Sequence, residues 1–368
     1  YEVTTFRRDV ETFGRHAVVE FADTVDDDLA RRDFTCNALA WHPLTGELRD
    51  PFGGEADLRA GVLRTVGRPE DRFAEDYLRV LRALRFAGQF GFRIEPYTWR
   101  ALVEATPHLT RLSAERVREE LWKVLTNIRN ASAALSLYAA SGALAVLYPE
   151  LDKLVGLERG GGHPHDAWTE SVFAVDAVSP ARPLLRVACW LHAVGMPAAR
   201  TRDLRGGWRF TGHEVLGARL AEAIMRRLKA SNADTERVTR LVRLQSELFP
   251  PDAGGSVVRR WIHHVGEDLV YDLLRMRFAL WRAAATDPDA RPDDLLQRAA
   301  MVRRILQQHP PLRVGDLALD GNDLRALGLA PGPRYGEILR DLLDRVLAEP
   351  GLNNREALEE IVRREWLN

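Results

Sequence analysis

Lysine is almost absent from this chain. Of 52 basic residues only Lys123, Lys153 and Lys229 are lysine, which leaves 49 arginines. Cysteine is scarcer still: Cys36 and Cys189 alone exclude a disulfide framework and a Cys-rich zinc module, and point to a reducing, cytoplasmic setting. No run approaches the roughly 20 consecutive apolar residues that a membrane helix needs, so no membrane partner is expected. Net charge is lacking too, at −1, which removes the bulk basic signature of many nucleic-acid binders. There is no fixed-period repeat, no low-complexity tract, and no basic-then-apolar signal segment at the start. The arginine excess by itself reads as codon bias, although arginine suits phosphate and base edges.

What remains is a soluble, globular composition, 46% apolar and 29% charged, over 368 residues, enough for several modules. Short strand-like runs fill the first 65 residues: Tyr1–Phe6, Ala17–Phe21, Cys36–Trp41, Glu47–Arg49 and Val62–Val66, with a loop between Arg7 and Val19. After Pro69 the period becomes helical, with Phe73, Tyr77, Val80, Leu81, Leu84 and Phe90 at three- and four-residue steps. Helices are then expected almost continuously to the end, one of them with a capped start at Ser113. The expected fold class is α+β: a small α+β head (1–66), a helical neck (67–128), a helical body (129–250) and a helical tail (251–368).

Two polar segments carry chemistry. Arg31-Arg32-Asp33 stands directly before an apolar run. Paired guanidiniums bind phosphate oxygens and a carboxylate can accept from a ribose hydroxyl, so the trio suits a nucleotide. Asp76 and Arg79 are three apart and would share a helix face, beside a basic stripe of Arg82 and Arg85. Asp26 and Asp27 read as a solvated face.

Four motifs then occur in order: Arg31-Arg32-Asp33-Phe34-Thr35-x-Asn37-Ala38; Asp50-Pro51-Phe52-Gly53-Gly54; Glu75-Asp76-x-x-Arg79-x-x-Arg82-Ala83-x-Arg85-Phe86; and Leu112-Ser113-x-Glu115-Arg116-x-x-Glu119-Glu120-Leu121. Together they resemble the class II tRNA nucleotidyltransferases, grouped with the bacterial poly(A) polymerases. The resemblance extends to the longer, HD-containing members through Asp316-Leu317-x-x-Asp320-Gly321-x-Asp323-Leu324 and Pro331-Gly332-Pro333.

The resemblance implies a polymerase-β-like nucleotidyltransferase head and untemplated addition of C and/or A to tRNA 3′ ends from CTP and ATP, as CCA, CC alone or A alone. It implies nucleotide binding by Arg31, Arg32, Asp33, Asn37, Asp76, Arg79, Arg82 and Arg85. Asp76 and Arg79 match the base-reading pair. The amino groups of cytosine N4 and adenine N6 donate to a carboxylate, whereas uracil O4 and guanine O6 are acceptors that it repels. The Leu112–Leu121 segment matches a motif that braces neck helices.

Mg²⁺ is the implied cofactor, with Glu2 as one catalytic metal ligand. Its two partner aspartates, on an Asp-x-Asp strand after a glycine turn, are expected upstream of Tyr1. The chain is thus expected to be N-terminally truncated and inactive alone, with poly(A) polymerase or a non-catalytic RNA-binding paralogue as alternatives. The body resembles an HD domain whose site is degenerate across His165, Asp166, Glu170, His192, Ala193 and His213: Glu170 replaces the first helical His, and Ala193 the Asp of the His-Asp pair. No metal-dependent hydrolysis is expected from it. The sequence does not fix the oligomeric state.

Overall fold

The structure is a computed structural model that describes residues 5–13, 16–21, 24–160, 162–287 and 289–367. Its fold class is an α+β head followed by a helical body. Two compact units result. One comprises the described residues of 1–243 together with Ala279–Thr286; the other comprises Leu244–Phe278 and the described residues of 287–368.

The first unit opens with β1 (Arg7–Phe13) and β2 (His16–Phe21), an antiparallel pair whose register shifts between Asp9 and Glu11. The expected loop from Arg7 to Val19 is therefore mostly ladder, and the expected strand Tyr1–Phe6 lies largely outside the described residues. Next come α1 (Val25–Ala30), β3 (Ala40–Trp41) pairing with β4 (Leu48–Arg49), and α2 (Gly54–Ala60). β5 (Val62–Leu63) runs parallel to β6 (Arg93–Ile94), across α3 (Pro69–Glu75) and α4 (Leu78–Phe90). Only the end of the expected Cys36–Trp41 strand is extended, because Thr35–Asn37 winds into a 3₁₀ turn.

Asp50-Pro51-Phe52-Gly53-Gly54 is a helix start. The Asp50 carboxylate accepts from Gly54 N (2.7 Å) and Glu55 N (3.1 Å), satisfying donors that the first turn of α2 leaves free. Gly53 has φ +71°, and a Cβ on Gly54 would lie 2.1 Å from the Thr35 carbonyl oxygen, so the motif lets α2 press onto the 3₁₀ turn.

The helices of this unit continue with α5 (Pro96–Ala105), α6 (Ala114–Asn127), α7 (Ala131–Ala140), α8 (Ala143–Leu147), α9 (Pro149–Asp152), α10 (Ala167–Asp176), α11 (Pro183–Leu191) and α12 (Met196–Ala199). The β7–β8 ribbon (Thr201–Arg202 and Trp208–Arg209), α13 (His213–Arg227) and α14 (Asn232–Leu244) follow. The periodic positions Phe73, Val80, Leu81 and Leu84 are fully buried, as the amphipathic pattern requires, whereas Phe90 is exposed. Ser113 makes no capping bond at the start of α6.

In the second unit, α15 (Gly255–Val265) is a helix absent from the sequence reading, despite its Val258, Trp261, Ile262 and Val265 stripe. α16 (Val270–Ala284), whose residues from Ala279 on belong to the first unit, α17 (Asp293–Leu306), α18 (Gly321–Ala326), α19 (Arg334–Ala348) and α20 (Arg355–Trp366) complete the chain. Asp316, Asp320 and Asp323 are spent on caps: Asp320 accepts from Asn322 N (2.7 Å) and Asp323 N (3.1 Å), and Asp323 accepts from Asp320 N (2.9 Å). Behind them Leu319, Leu324, Ile338, Leu342, Val346 and Leu358 form one core. No helix among the described residues is long and apolar enough to cross a membrane.

Candidate nucleotide site

The site grows from the end of α1. Thr24 caps that helix through Asp27 N (3.3 Å), and its first turn carries Asp26, Asp27 and Asp28, favourably placed against the helix dipole. Asp28 is not solvated like its neighbours; it is 5% exposed. It stands three and four residues before Arg31 and Arg32. It accepts from Arg31 Nε (2.9 Å) and Nη2 (2.8 Å) and from Arg32 Nη2 (2.8 Å). One buried carboxylate thus orients both guanidiniums.

The chain then turns at Asp33, whose Oδ1 accepts from Phe34 N (2.9 Å) and Asn37 Nδ2 (2.9 Å). Its Oδ2 accepts from Arg82 Nε at 2.6 Å, which ties the turn to α4. Asn37 is fixed by the 3₁₀ turn, itself held through Thr35 Oγ1 to Asp57 (2.8 Å).

Asp76 and Arg79 do not lie on one helix. Asp76 is extended (φ −155°, ψ 106°) at the join between α3 and α4. Its Oδ1 accepts from Leu78 N (3.0 Å) and its carbonyl from Arg79 N (3.0 Å), so it starts α4 rather than continuing α3. A short polar side chain that can bond nearby backbone N–H groups competes with helix continuation. The second Asp76 oxygen accepts from Arg116 Nη2 on α6, at 2.6 Å. The Arg79 guanidinium is anchored separately, on Glu75 and on the carbonyls of Arg72 (2.9 Å) and Arg31 (3.4 Å).

Around these groups lies a cavity of about 520 Å³, lined by Arg31, Arg32, Asp33, Asn37, Asp76, Leu78, Arg79, Arg82, Phe86 and Arg116. Five arginines and two aspartates give it a net positive wall with two localised acceptors. An anionic tail can be held by guanidinium forks while a neutral ring is read by one acceptor and neighbouring donors.

Seven of the expected nucleotide residues therefore share one cavity, and Arg85 does not join them. Its guanidinium is buried against Glu120 (Nε to Oε2, 2.7 Å) and lies 4.2 Å from the centre of the Phe86 ring. The physical reason is the partner each side chain meets: the two lie about 60° apart around α4, and that offset turns Arg85 onto Glu120 of α6 while Arg82 reaches Asp33. Burial pushes the Glu120 carboxyl up, but hydrogen bonds from Lys123 and Arg85 outweigh it and hold the group below its ordinary range. Glu2 lies outside the described residues. Sequence reasoning missed Asp28, Phe86 and Arg116 as parts of the site. The i+3 and i+4 spacing of Asp28 to Arg31 and Arg32 was the available signal for the first. Arg116 stands in the fourth motif, but nothing local in the sequence pairs it with Asp76, 40 residues away.

The HD-like positions serve packing and capping. Asp166 caps α10 through Thr169 N (2.7 Å) and also accepts from Gly156 N (2.6 Å). Glu170, 1% exposed, is held by Arg159 and by His163 Nδ1 (2.6 Å). His165 is exposed and packs edge-on against Phe173. His192 Nδ1 meets the Cys189 carbonyl (2.8 Å), His213 Nδ1 meets the Phe210 carbonyl (2.8 Å), and Ala193 is buried.

Among the described residues no group of three or more His, Cys, Asp or Glu is gathered that could hold a metal ion. Glu2, the implied Mg²⁺ ligand, lies outside the described residues.

Three family descriptions match the chain: a poly(A) polymerase head domain over residues 1–64, a probable RNA- and SrmB-binding site of polymerase A over 91–154, and a putative tRNA nucleotidyltransferase domain 2 over 215–362. The chain is 37% identical to the A-adding tRNA nucleotidyltransferase of Deinococcus radiodurans, over 92% of this chain and 79% of that one. It is 34% identical to the CC-adding tRNA nucleotidyltransferase of Thermus thermophilus, over 87% and 73% respectively. Among solved structures, the CCA-adding enzyme of Bacillus stearothermophilus in complex with CTP superposes with a TM-score of 0.71 at 26% identity, over 100% of this chain and 80% of that one.

Proposed function

The chain belongs to the class II tRNA nucleotidyltransferase and poly(A) polymerase family, and from that premise we propose that it adds C, A or both to tRNA 3′ ends, taking CTP or ATP in the cavity between α1, α4 and α6. The observation that carries this reading is the gathering of Arg31, Arg32, Asp33, Asp76 and Arg79 around one 520 Å³ space.

Arg31 and Arg32 bind the triphosphate. Their shared partner Asp28 fixes the direction of both forks, so little side-chain freedom is left to lose on binding. Asp33 takes the ribose hydroxyl, and Asn37 and Arg82 hold its carboxylate in place. Asp76 accepts from the exocyclic amine of cytosine or adenine. Arg79 donates to the adjacent ring nitrogen from a guanidinium that Glu75 and the Arg72 carbonyl keep in register. One acceptor beside one donor excludes uracil and guanine at this edge. Arg116, bonded to the other Asp76 oxygen, positions the acceptor. Mg²⁺ is the proposed cofactor of the transfer step, with Glu2 among its ligands.

The test uses the complete gene product, Mg²⁺ and tRNA transcripts lacking CCA, CA or A, with one labelled nucleotide at a time. CMP added to the first transcript marks C addition, and AMP added to the transcript ending in CC marks A addition. Long runs of A on either would make the protein a poly(A) polymerase. Equal use of all four nucleotides, or of none, would overturn the proposal.

A further inference from the structure

Between α12 and α13 the chain makes the β7–β8 ribbon, with Thr201 opposite Arg209 and Arg202 opposite Trp208. Its turn is fixed by its own chemistry. Asp203 Oδ1 accepts from Arg205 N and Gly207 N, both at 2.8 Å, Asp203 N donates to the Gly207 carbonyl (2.8 Å), and Gly206 supplies φ +81°.

On this frame stand four exposed arginines, Arg200, Arg202, Arg205 and Arg209, against the single acid Asp203. The period of two puts Arg200 and Arg202 on one face, with Trp208 as the cross-strand neighbour. Their guanidinium carbons lie 3.5 Å and 4.2 Å from the centre of the Trp208 ring. The two cations are therefore within about 8 Å of each other, no farther than a Debye length at physiological salt, and they repel.

Two other arginines of this unit are matched: Arg227 forms a two-pronged pair with Glu150, and Arg186 is surrounded by carbonyls. Here the nearest carboxylate is Asp203, 3.5 Å from Arg209, and no salt bridge reaches Arg200, Arg202 or Arg205 among the described residues. An indole face orients a guanidinium and leaves most of its N–H edge open; Arg202 Nη1 donates to the Gly206 carbonyl at 3.3 Å, and its charge has no carboxylate partner among the described residues. The ribbon thus holds ordered, unneutralised donors. They are strung along its two faces and tip rather than converging on a point, which matches a linear polyanion better than a single phosphate.

We propose that the Thr201–Arg209 ribbon is an RNA-backbone contact, in which Arg200 and Arg202, braced on Trp208, bind phosphates of the tRNA and Arg205 extends the contact at the tip. This rests on the tRNA reading above.

The test is equilibrium binding of a tRNA transcript to the whole chain across a salt series, comparing wild type, R200Q/R202Q and W208A. Folding is checked by circular dichroism. Loss of two phosphate contacts should weaken tRNA binding about tenfold at 0.1 M salt and flatten the log–log salt slope by roughly 1.5 to 2. CTP binding should not change. W208A keeps the charges and loses the brace; about threefold weaker binding with the wild-type slope is expected, since orientation is lost but counterion release is not. Affinity and slope of R200Q/R202Q within experimental error of a tRNA-binding wild type would overturn the ribbon contact alone. A wild type that binds no tRNA would overturn the functional reading along with it.

Discussion

Replacing Arg186 by methionine should cost more than any change in the cavity. Arg186 lies on α11, is fully buried, and donates to four carbonyls: Val178 (2.8 Å), Leu125 (3.0 Å), Ile128 (2.6 Å) and Arg129 (2.7 Å). The Leu125, Ile128 and Arg129 carbonyls lie at and just beyond the C-terminal end of α6, where helical carbonyls lack intrahelical donors and the dipole favours a cation. Burial lowers the affinity of Arg186 for its proton, and nearby Asp176 opposes that shift. Methionine fills similar volume but leaves the acceptors unmet. Arg129 O is partly exposed and can rehydrate; the other three are buried and would each lose about 1–3 kcal/mol, partly offset by relieving the desolvated charge. A net loss of about 4 kcal/mol follows, which for a unit of this size lowers Tm by about 10 °C. Thermal melts followed by circular dichroism, with urea titrations to separate the transitions of the two units, measure it. Arg186→Lys, with three donors on one point, should fall between. A methionine variant melting within 2 °C of wild type would refute the reasoning.

Other expected outcomes follow from the same geometry. Arg116→Gln removes the charge that fixes Asp76 and should cut the preference for CTP over UTP by about tenfold in competitive binding, the share of one charge-assisted hydrogen bond, with triphosphate affinity retained. Glu120→Gln should flatten the acid limb of the stability curve. Its carboxyl is held below the ordinary range when folded, so its contribution is present at neutral pH, above its unfolded pKa, and is lost as pH falls through the folded value. Urea midpoints of both proteins from pH 6 to pH 3 check this, and parallel curves would contradict it. Gly54→Ala forces a methyl 2.1 Å from the Thr35 carbonyl oxygen and should destabilise the head by about 2–3 kcal/mol, read as a fall in urea midpoint.

Motif order and helical periodicity make much of the head and the helical body legible in the sequence. Arg31, Arg32, Asp33 and Asn37 are close in sequence, and one turn gathers them. The three-residue spacing of Asp76 and Arg79 is ambiguous between a helix face and a cap; the bond from Leu78 N to Asp76 decides for the cap. Arg85 reads as part of the Arg82 stripe because an arginine run carries no sign of which member meets another helix, and its buried partner Glu120 is 35 residues away. Asp28 was passed over inside a run of three acids, although only it turns inward. Arg116 needed the α3–α4 break and the approach of α6, and both are tertiary facts. The histidines of the body are bonded to backbone carbonyls or packed on side chains close in sequence, an outcome that spacing alone does not reveal.

The central claim is that one cavity reads the base through Asp76 and Arg79. Its most direct test is the affinity of CTP, ATP, UTP and GTP for the wild type and for Asp76→Asn, measured by calorimetry under identical salt. Two matched hydrogen bonds predict CTP and ATP at least about tenfold tighter than UTP and GTP in the wild type, and a ratio near one in the variant with the triphosphate still bound. A wild type that binds all four alike, or a variant that keeps the full preference, would contradict it.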